Sequence, residues 1–163
     1  MRAARAAFAL AIFDSVRIEC PRGETRGIGA GRVGRKVANG RGRGRGAEGD
    51  RRMADCVFCR IIAGETKAHV VYEDESVLAF LDIHPASRGH AVVIPKVHAE
   101  SLARLDERHI APLFSGVKTV MGLLEKALKP AGMNVGWNHG WAAGQRVAHL
   151  HVHIIPRHPG DGG

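Results

Sequence analysis

The sequence predicts an α+β domain built on a mostly antiparallel sheet, and three observations carry that expectation. Short β-branched runs are separated by turn-sized gaps, one long central stretch has helical periodicity, and a last strand-like run carries histidine at every second residue. In chain order, "CRIIAGE" reads as a short helix closed by Gly64. "HVVYED" and "VLAFLDI" are two strands joined through the acidic turn "EDES", and "SRGHAVVIP" turns at Gly89 into a third strand ended by Pro95. A helical stretch opens at "SLARLDE", with Ser101 as the N-cap candidate. Ile110, Leu113, Phe114, Val117, Met121, Leu124 and Leu128 follow at intervals of three and four, one apolar stripe on a helix of about five turns. Pro130 and Gly132 stop it. "MNVGWN" is the fourth strand, "HGWAAG" a loop and "QRVAHLHVHIIP" the fifth strand. There is no internal repeat.

The chain has 163 residues, enough for one domain with an ordinary core. Its net charge of +8 resembles a nucleic-acid signal, but the charge is unevenly spread. Residues 1–52 hold 13 of the 24 basic residues and 5 of the 16 acids, whereas residues 53–163 hold 11 of each and all ten histidines. The expected division is therefore a basic Gly/Arg-rich extension, residues 1–52, and a neutral folded domain, residues 53–163. "MRAARAAFALAIF" has the basic start and apolar stretch of a targeting segment, yet no small-residue cleavage pattern follows, which argues against secretion. "RGIGAGRVGRKVANGRGRGRGAEGDRR" lacks hydrophobic periodicity and is expected to be disordered. It is read as an RNA-binding arm, as a solvated extension, or as upstream sequence translated through a wrong start; the last is favoured because Met53 opens the domain cleanly. A nucleic-acid partner is expected only if this extension belongs to the protein. With Cys20 in the extension and Cys56 and Cys59 in a single C-x-x-C, no disulfide framework is available. No apolar run reaches the roughly 18 residues of a membrane span. A soluble, cytoplasmic protein is expected.

Strand geometry gives "HLHVHII" its meaning. Alternate side chains point to opposite faces, so His149, His151 and His153 share one face with Val147, while Leu150, Val152 and Ile154 face the core. Three readings stand: histidines without a role, a three-histidine metal centre, or nucleophilic catalysis by one neutral imidazole positioned by its neighbours. Spacing leaves the last two open. The preceding "NHGWAAGQRV" places Asn138, Gly144 and Gln145 nearby, neutral donors and permissive backbone of the kind that binds phosphate oxygens. No acid lies between Glu125 and Asp161 to act as a general base beside the strand.

The H-x-H-x-H run followed by two apolar residues resembles the signature of the histidine triad superfamily of nucleotide hydrolases and transferases. The resemblance extends to "CVFCRIIAGE", "VYEDESVLAFLDIHP", "GHAVVIPKVH" and "NVGWNHGWAAGQRVAHLHVHIIPR", which cover nearly all of residues 56–157 in order and are similar to segments of its nucleotide-binding, bacterial-type branch. It implies a half-barrel of about five antiparallel strands with one long helix and a short N-terminal helix, and a homodimer. It implies hydrolysis of a purine nucleoside phosphoramidate or dinucleoside polyphosphate to a nucleoside monophosphate. His151 would be the nucleophile that carries the nucleotidyl intermediate, with His153 and His90 contacting phosphate or relaying a proton. Asp82 would accept hydrogen bonds from the ribose hydroxyls, and Val57, Phe58, Ile61, Phe80 and Ile83 would form the base slot. Asn138, Gly144 and Gln145 match phosphate and leaving-group contacts. Arg146 departs from the pattern, standing where a small hydroxyl residue often helps hold the α-phosphate. Some bacterial-type relatives hold a structural zinc on residues matching Cys56, Cys59, His98 and His149, so a closed Cys₂His₂ site is expected, with no metal required for the chemistry. Two alternatives are kept: a zinc-dependent hydrolase with the three histidines as ligands, and a non-catalytic nucleotide-binding regulator.

Overall fold

The structure, a computed structural model, describes residues 56–162. The expectations for residues 1–52 and for Met53 lie outside the described residues. Five strands form one sheet: β1 (Val70–Glu73), β2 (Val77–Leu81), β3 (Ala91–Pro95), β4 (Gly132–Gly136) and β5 (Val152–Arg157). Their order is β1-β2-β3-β5-β4 and every neighbouring pair is antiparallel. Among the described residues two α-helices flank the sheet, α1 (Val57–Ile62) and α2 (Ile110–Leu128). This is the expected α+β architecture with one long and one short helix.

The turns follow from local chemistry. Between β1 and β2 the Asp74 carboxylate accepts from the backbone N–H groups of Ser76 and Val77 at 2.7 and 2.8 Å, an Asx turn. Gly89, at φ +85°, turns the chain into β3, and a side chain there would collide with Leu128 Cδ1.

The helices take opposite faces of the sheet, so β2 and β3 are buried along their whole length. On one face, Val77, Ala79, Leu81, Ala91, Val93, Leu150, Val152 and Ile154 pack with Leu113, Val117, Val120 and Leu124 of α2. Burying each of these large side chains contributes roughly 1.5–3 kcal/mol. Gly116 permits the close approach, since a Cβ there would lie 2.5 Å from Val77 Cγ2. On the other face, Leu78, Phe80, Val92 and Ile94 pack against Phe58, Ile61 and Ile62 of α1. His153 pairs with Val92 across the β3–β5 ladder, which puts it on the α1 face.

Three sequence expectations are corrected. The fifth strand begins at Val152, not at Gln145, and residues 147–149 bend. Its ladder with β3 ends at Val93↔Val152, because Pro95 has no N–H to continue it. The Leu150 N–H bonds the Ala99 carbonyl at 2.6 Å instead. The helical stretch does not run from Ser101. Two one-turn 3-10 helices (Leu102–Arg104 and Glu107–His109) come first, and α2 starts at Ile110 so that Pro112 falls in its first turn, where no N–H is needed. Phe114 leaves the buried stripe: it is 37% exposed and packs edge-on against Trp137, while Val120 is fully buried.

Candidate active site

The three histidines of 149–153 do share the α1 face, but each has a different partner. His149 is fully buried, and its Nε2 lies 2.9 Å from the Pro95 carbonyl oxygen. An acceptor there requires Nε2–H, which leaves the Nδ1 lone pair pointing at Cys56 Sγ (3.5 Å) and Cys59 Sγ (3.6 Å). His151 Nδ1 lies 2.6 Å from the His149 carbonyl oxygen, so Nδ1 carries the proton and Nε2 keeps its lone pair. His153 Nδ1 lies 2.9 Å from His90 Nε2. The Ala86 N–H donates to His90 Nδ1 at 3.1 Å, so His90 Nε2–H donates to His153 Nδ1 and the proton of His153 sits on Nε2.

This chain of hydrogen bonds makes two adjacent rings complementary. One offers a nitrogen lone pair and the other an N–H, with centroids 5.0 Å apart. Phe58 of α1 stands edge-on against His149 and His151, at 5.8 and 5.3 Å, and limits how far the rings can turn. Burial pushes His153 down to about 4, helped by the neighbouring His151 and His90. His90 is likewise lowered, mainly by burial, against the opposing pull of Asp82. Both are therefore neutral at pH 7. The Asp82 Oδ2 lies 3.7 Å from His90 Nε2 and 4.0 Å from His153 Nδ1, and its Oδ1 accepts from the His84 N–H at 2.8 Å.

The donor atoms of Cys56, Cys59, His98 and His149 all lie within 4.8 Å of one another. His98 Nδ1 is 3.3 Å from Cys59 Sγ. Two thiols and two imidazoles are the soft, tetrahedral donor set that suits zinc. Burial, then Cys56 beside it, pushes the Cys59 thiol up to about 11, so a cation would favour its thiolate form. Asp82, His90 and His153 also cluster, but the Ala86 N–H facing His90 Nδ1 fixes a proton on the very nitrogen that would have to bind a metal. The triad rings offer no common centre either, since their three Nδ1 atoms are turned to cysteine, backbone and histidine respectively.

The remaining expected residues divide. Phe58 and Phe80 meet edge-on at 5.5 Å, and Ile61 packs beside them. Ile83 is 83% exposed, next to Asp82. Val57 lies outside that cluster and lines a cavity of about 360 Å³ with Cys56, His98, Glu100 and Arg146. Arg146 thus faces the cysteine side of the strand. Asn138 is exposed, and its amide nitrogen would be 3.3 Å from a Cβ at Gly144, whose φ is +90°. Gln145 bonds entirely within the protein: its Oε1 accepts from Gly140 N–H, and its Nε2 donates to the carbonyls of Glu100 and Val147. Sequence reasoning missed the backbone groups of Pro95 and Ala86 that set the ring protons. No residue type announces them; the proline that ends "AVVIP" is the only trace.

The chain is similar to known proteins in sequence and in fold. The HIT domain family model matches residues 63–160. An uncharacterised HIT-like protein of Methanocaldococcus jannaschii is 50% identical over 107 residues, which cover 66% of this chain and 82% of that protein. The adenosine 5'-monophosphoramidase of Schizosaccharomyces pombe is 43% identical over 102 residues, 63% of this chain and 74% of that one. The crystal structure of a Zn-bound histidine triad family protein from Mycobacterium smegmatis matches with a TM-score of 0.63 at 38% identity, over 68% of this chain and 80% of that one. With the fold, the three alternating histidines and these matches in agreement, the chain belongs to the histidine triad (HIT) family.

Proposed function

We propose that this protein is a nucleotide hydrolase that cleaves a purine nucleoside phosphoramidate or dinucleoside polyphosphate and releases a nucleoside monophosphate. The observation that carries the reading is the His151 ring, whose Nδ1 proton is held by the His149 carbonyl just before β5 while Nε2 keeps a lone pair beside the N–H of His153. The relative named as an adenosine 5'-monophosphoramidase supports the substrate class.

In the first step His151 Nε2 forms a bond to the α-phosphorus, and the bond from phosphorus to the leaving nitrogen or oxygen breaks with its electron pair. The ring gains positive charge as it does so, and the His149 carbonyl dipole at Nδ1–H stabilises it. His153 Nε2–H donates to a phosphoryl oxygen or to the leaving atom, where charge develops. In the second step water attacks phosphorus and the P–N bond to His151 breaks. The proton released by water balances the one the leaving group acquires. Covalent catalysis thus divides one hard displacement into two easier ones. Asp82, beside the His90–His153 pair, would receive the ribose hydroxyls, with Phe58, Ile61, Phe80, Ile83 and Val57 as the proposed base contacts and Asn138, Gly144 and Gln145 as the phosphate loop.

Zinc is proposed on Cys56, Cys59, His98 and His149. The group would supply a structural clamp with no open position, tying α1 and the segment after β3 to the approach of the catalytic strand. The protein is further taken to be a cytoplasmic homodimer. Among the described residues, no helix is long and apolar enough to cross a membrane.

The test is AMP release from adenosine phosphoramidate and from diadenosine tetraphosphate by wild type and His151→Ala. The variant should lose at least roughly a thousandfold, as expected for removal of a nucleophile. Equal turnover by the two proteins would defeat the reading. Binding of AMP without turnover by wild type would favour the regulator.

A further inference from the structure

The loop from 138 to 145, which the proposed function treats as the phosphate loop, contains a side chain whose bonding is complete without a ligand. Gln145 has one amide oxygen and two amide protons to place. The oxygen accepts from Gly140 N–H at 2.8 Å, and the two protons go to the Glu100 carbonyl at 2.7 Å and the Val147 carbonyl at 3.0 Å. The orientation is fixed by chemistry, because an N–H requires the oxygen and the two carbonyls require the nitrogen. Backbone bonds repeat the closure: Gln145 N–H and Ala143 N–H both donate to the Gly140 carbonyl, at 3.1 Å each. Residues 140–145 are thereby drawn into a ring around a short 3-10 turn (Trp141–Ala143), between Gly140 at φ +83° and Gly144 at φ +90°. Through Glu100 the ring is tied to the segment carrying His98, and through Val147 to the approach of His149.

We propose that Gln145 is a positioning residue, whose amide shapes the phosphate loop and joins it to the histidine strand before substrate arrives. It has no amide proton left to donate to phosphate; Asn138, exposed and packed over Gly144, has an amide that bonds nothing else among the described residues. The proposal rests on the functional reading only for the loop's ligand, and the ring itself is a property of the free protein.

Trp141, 86% exposed at the tip of this ring, is a built-in reporter. The experiment uses the full chain carrying Trp137→Phe, so that Trp141 is the remaining tryptophan of two. Gln145→Ala and Gln145→Glu are compared with Gln145 on that background, without ligand, by Trp141 anisotropy decay and by amide exchange at Gly140. Gln145→Ala should free the tip and raise Gly140 exchange by about fivefold or more, the loss of one hydrogen bond. Gln145→Glu keeps the acceptor for Gly140 but sets a carboxylate against two carbonyls, so it should free the tip while moving Gly140 less. Both variants should lower kcat on the phosphoramidate and the dinucleoside substrate by similar factors. Unchanged anisotropy and exchange in ligand-free Gln145→Ala, with a loss confined to AMP affinity, would overturn the proposal in favour of direct phosphate contact. Should wild type show no turnover, the functional reading fails while the ligand-free measurements still decide this one.

Discussion

His151 and His153 sit two residues apart on one face, yet the protein has given them opposite hydrogen-bonding characters. A backbone carbonyl makes one an acceptor at its free nitrogen, and a donated bond from His90 makes the other a donor. Replacing His153 by Gln removes a ring N–H without adding charge, and kcat should fall by about 10²–10⁴ if that donor faces the reaction; a loss smaller than tenfold in single-turnover rate would place it outside the chemistry. The same ring sets a pH dependence. Its folded value of about 4 lies below the ordinary 6.5, so between those values the unfolded chain binds a proton that the folded chain does not. The contribution of His153 is therefore intact above about pH 6.5 and is lost as pH falls towards 4. Urea unfolding at about pH 7 and about pH 4.5 should show wild type losing more stability than His153→Gln; equal losses would contradict the buried neutral ring. The shared face of the histidines was legible in the sequence from residue parity, although only His153 lies within β5 and His149 and His151 reach the same side from the segment before it. Their protons were not, because Pro95, Ala86 and His90 come from other segments of the chain.

At the scale of elements, α2 and β2 meet through Gly116. Gly116→Val would drive a side chain into Val77, and overpacking of this kind costs roughly 1–3 kcal/mol. A fall in urea midpoint with unchanged slope is the expected result, and an unaltered midpoint would mean that α2 can shift away from the sheet without cost. The helix was legible from its stripe, with Leu113, Val117 and Leu124 buried as the spacing requires. Pro112 marked its true start, but the 3-10 turns before it follow from local capping at Asp106 and from contacts that periodicity does not carry. The fifth strand shows the opposite limit. Alternation from 145 onward continued past the point where a partner strand exists, so the pattern was right about faces and too long about pairing. Phe114 obeyed the helical spacing too, yet the apolar neighbour it found was Trp137 at the edge.

At the scale of the whole molecule, the Cys56–Cys59–His98–His149 cluster and the catalytic pair meet at the His149 carbonyl. Chelation of zinc from the folded protein should lower Tm by about 5 °C or more, while initial turnover of the molecules still folded falls by less than about tenfold. Complete loss of turnover with the fold intact would instead make the metal part of the reaction. The C-x-x-C and the later histidines were visible in the sequence, but their convergence required the fold, since α1, the segment after β3 and the approach to β5 are far apart in the chain. The most direct measurement is an acid quench of wild type during turnover of adenosine phosphoramidate, followed by peptide mass analysis. The expected result is one AMP moiety on His151, absent from His151→Ala; a burst of AMP with no adduct, or an adduct on another residue, would contradict the account.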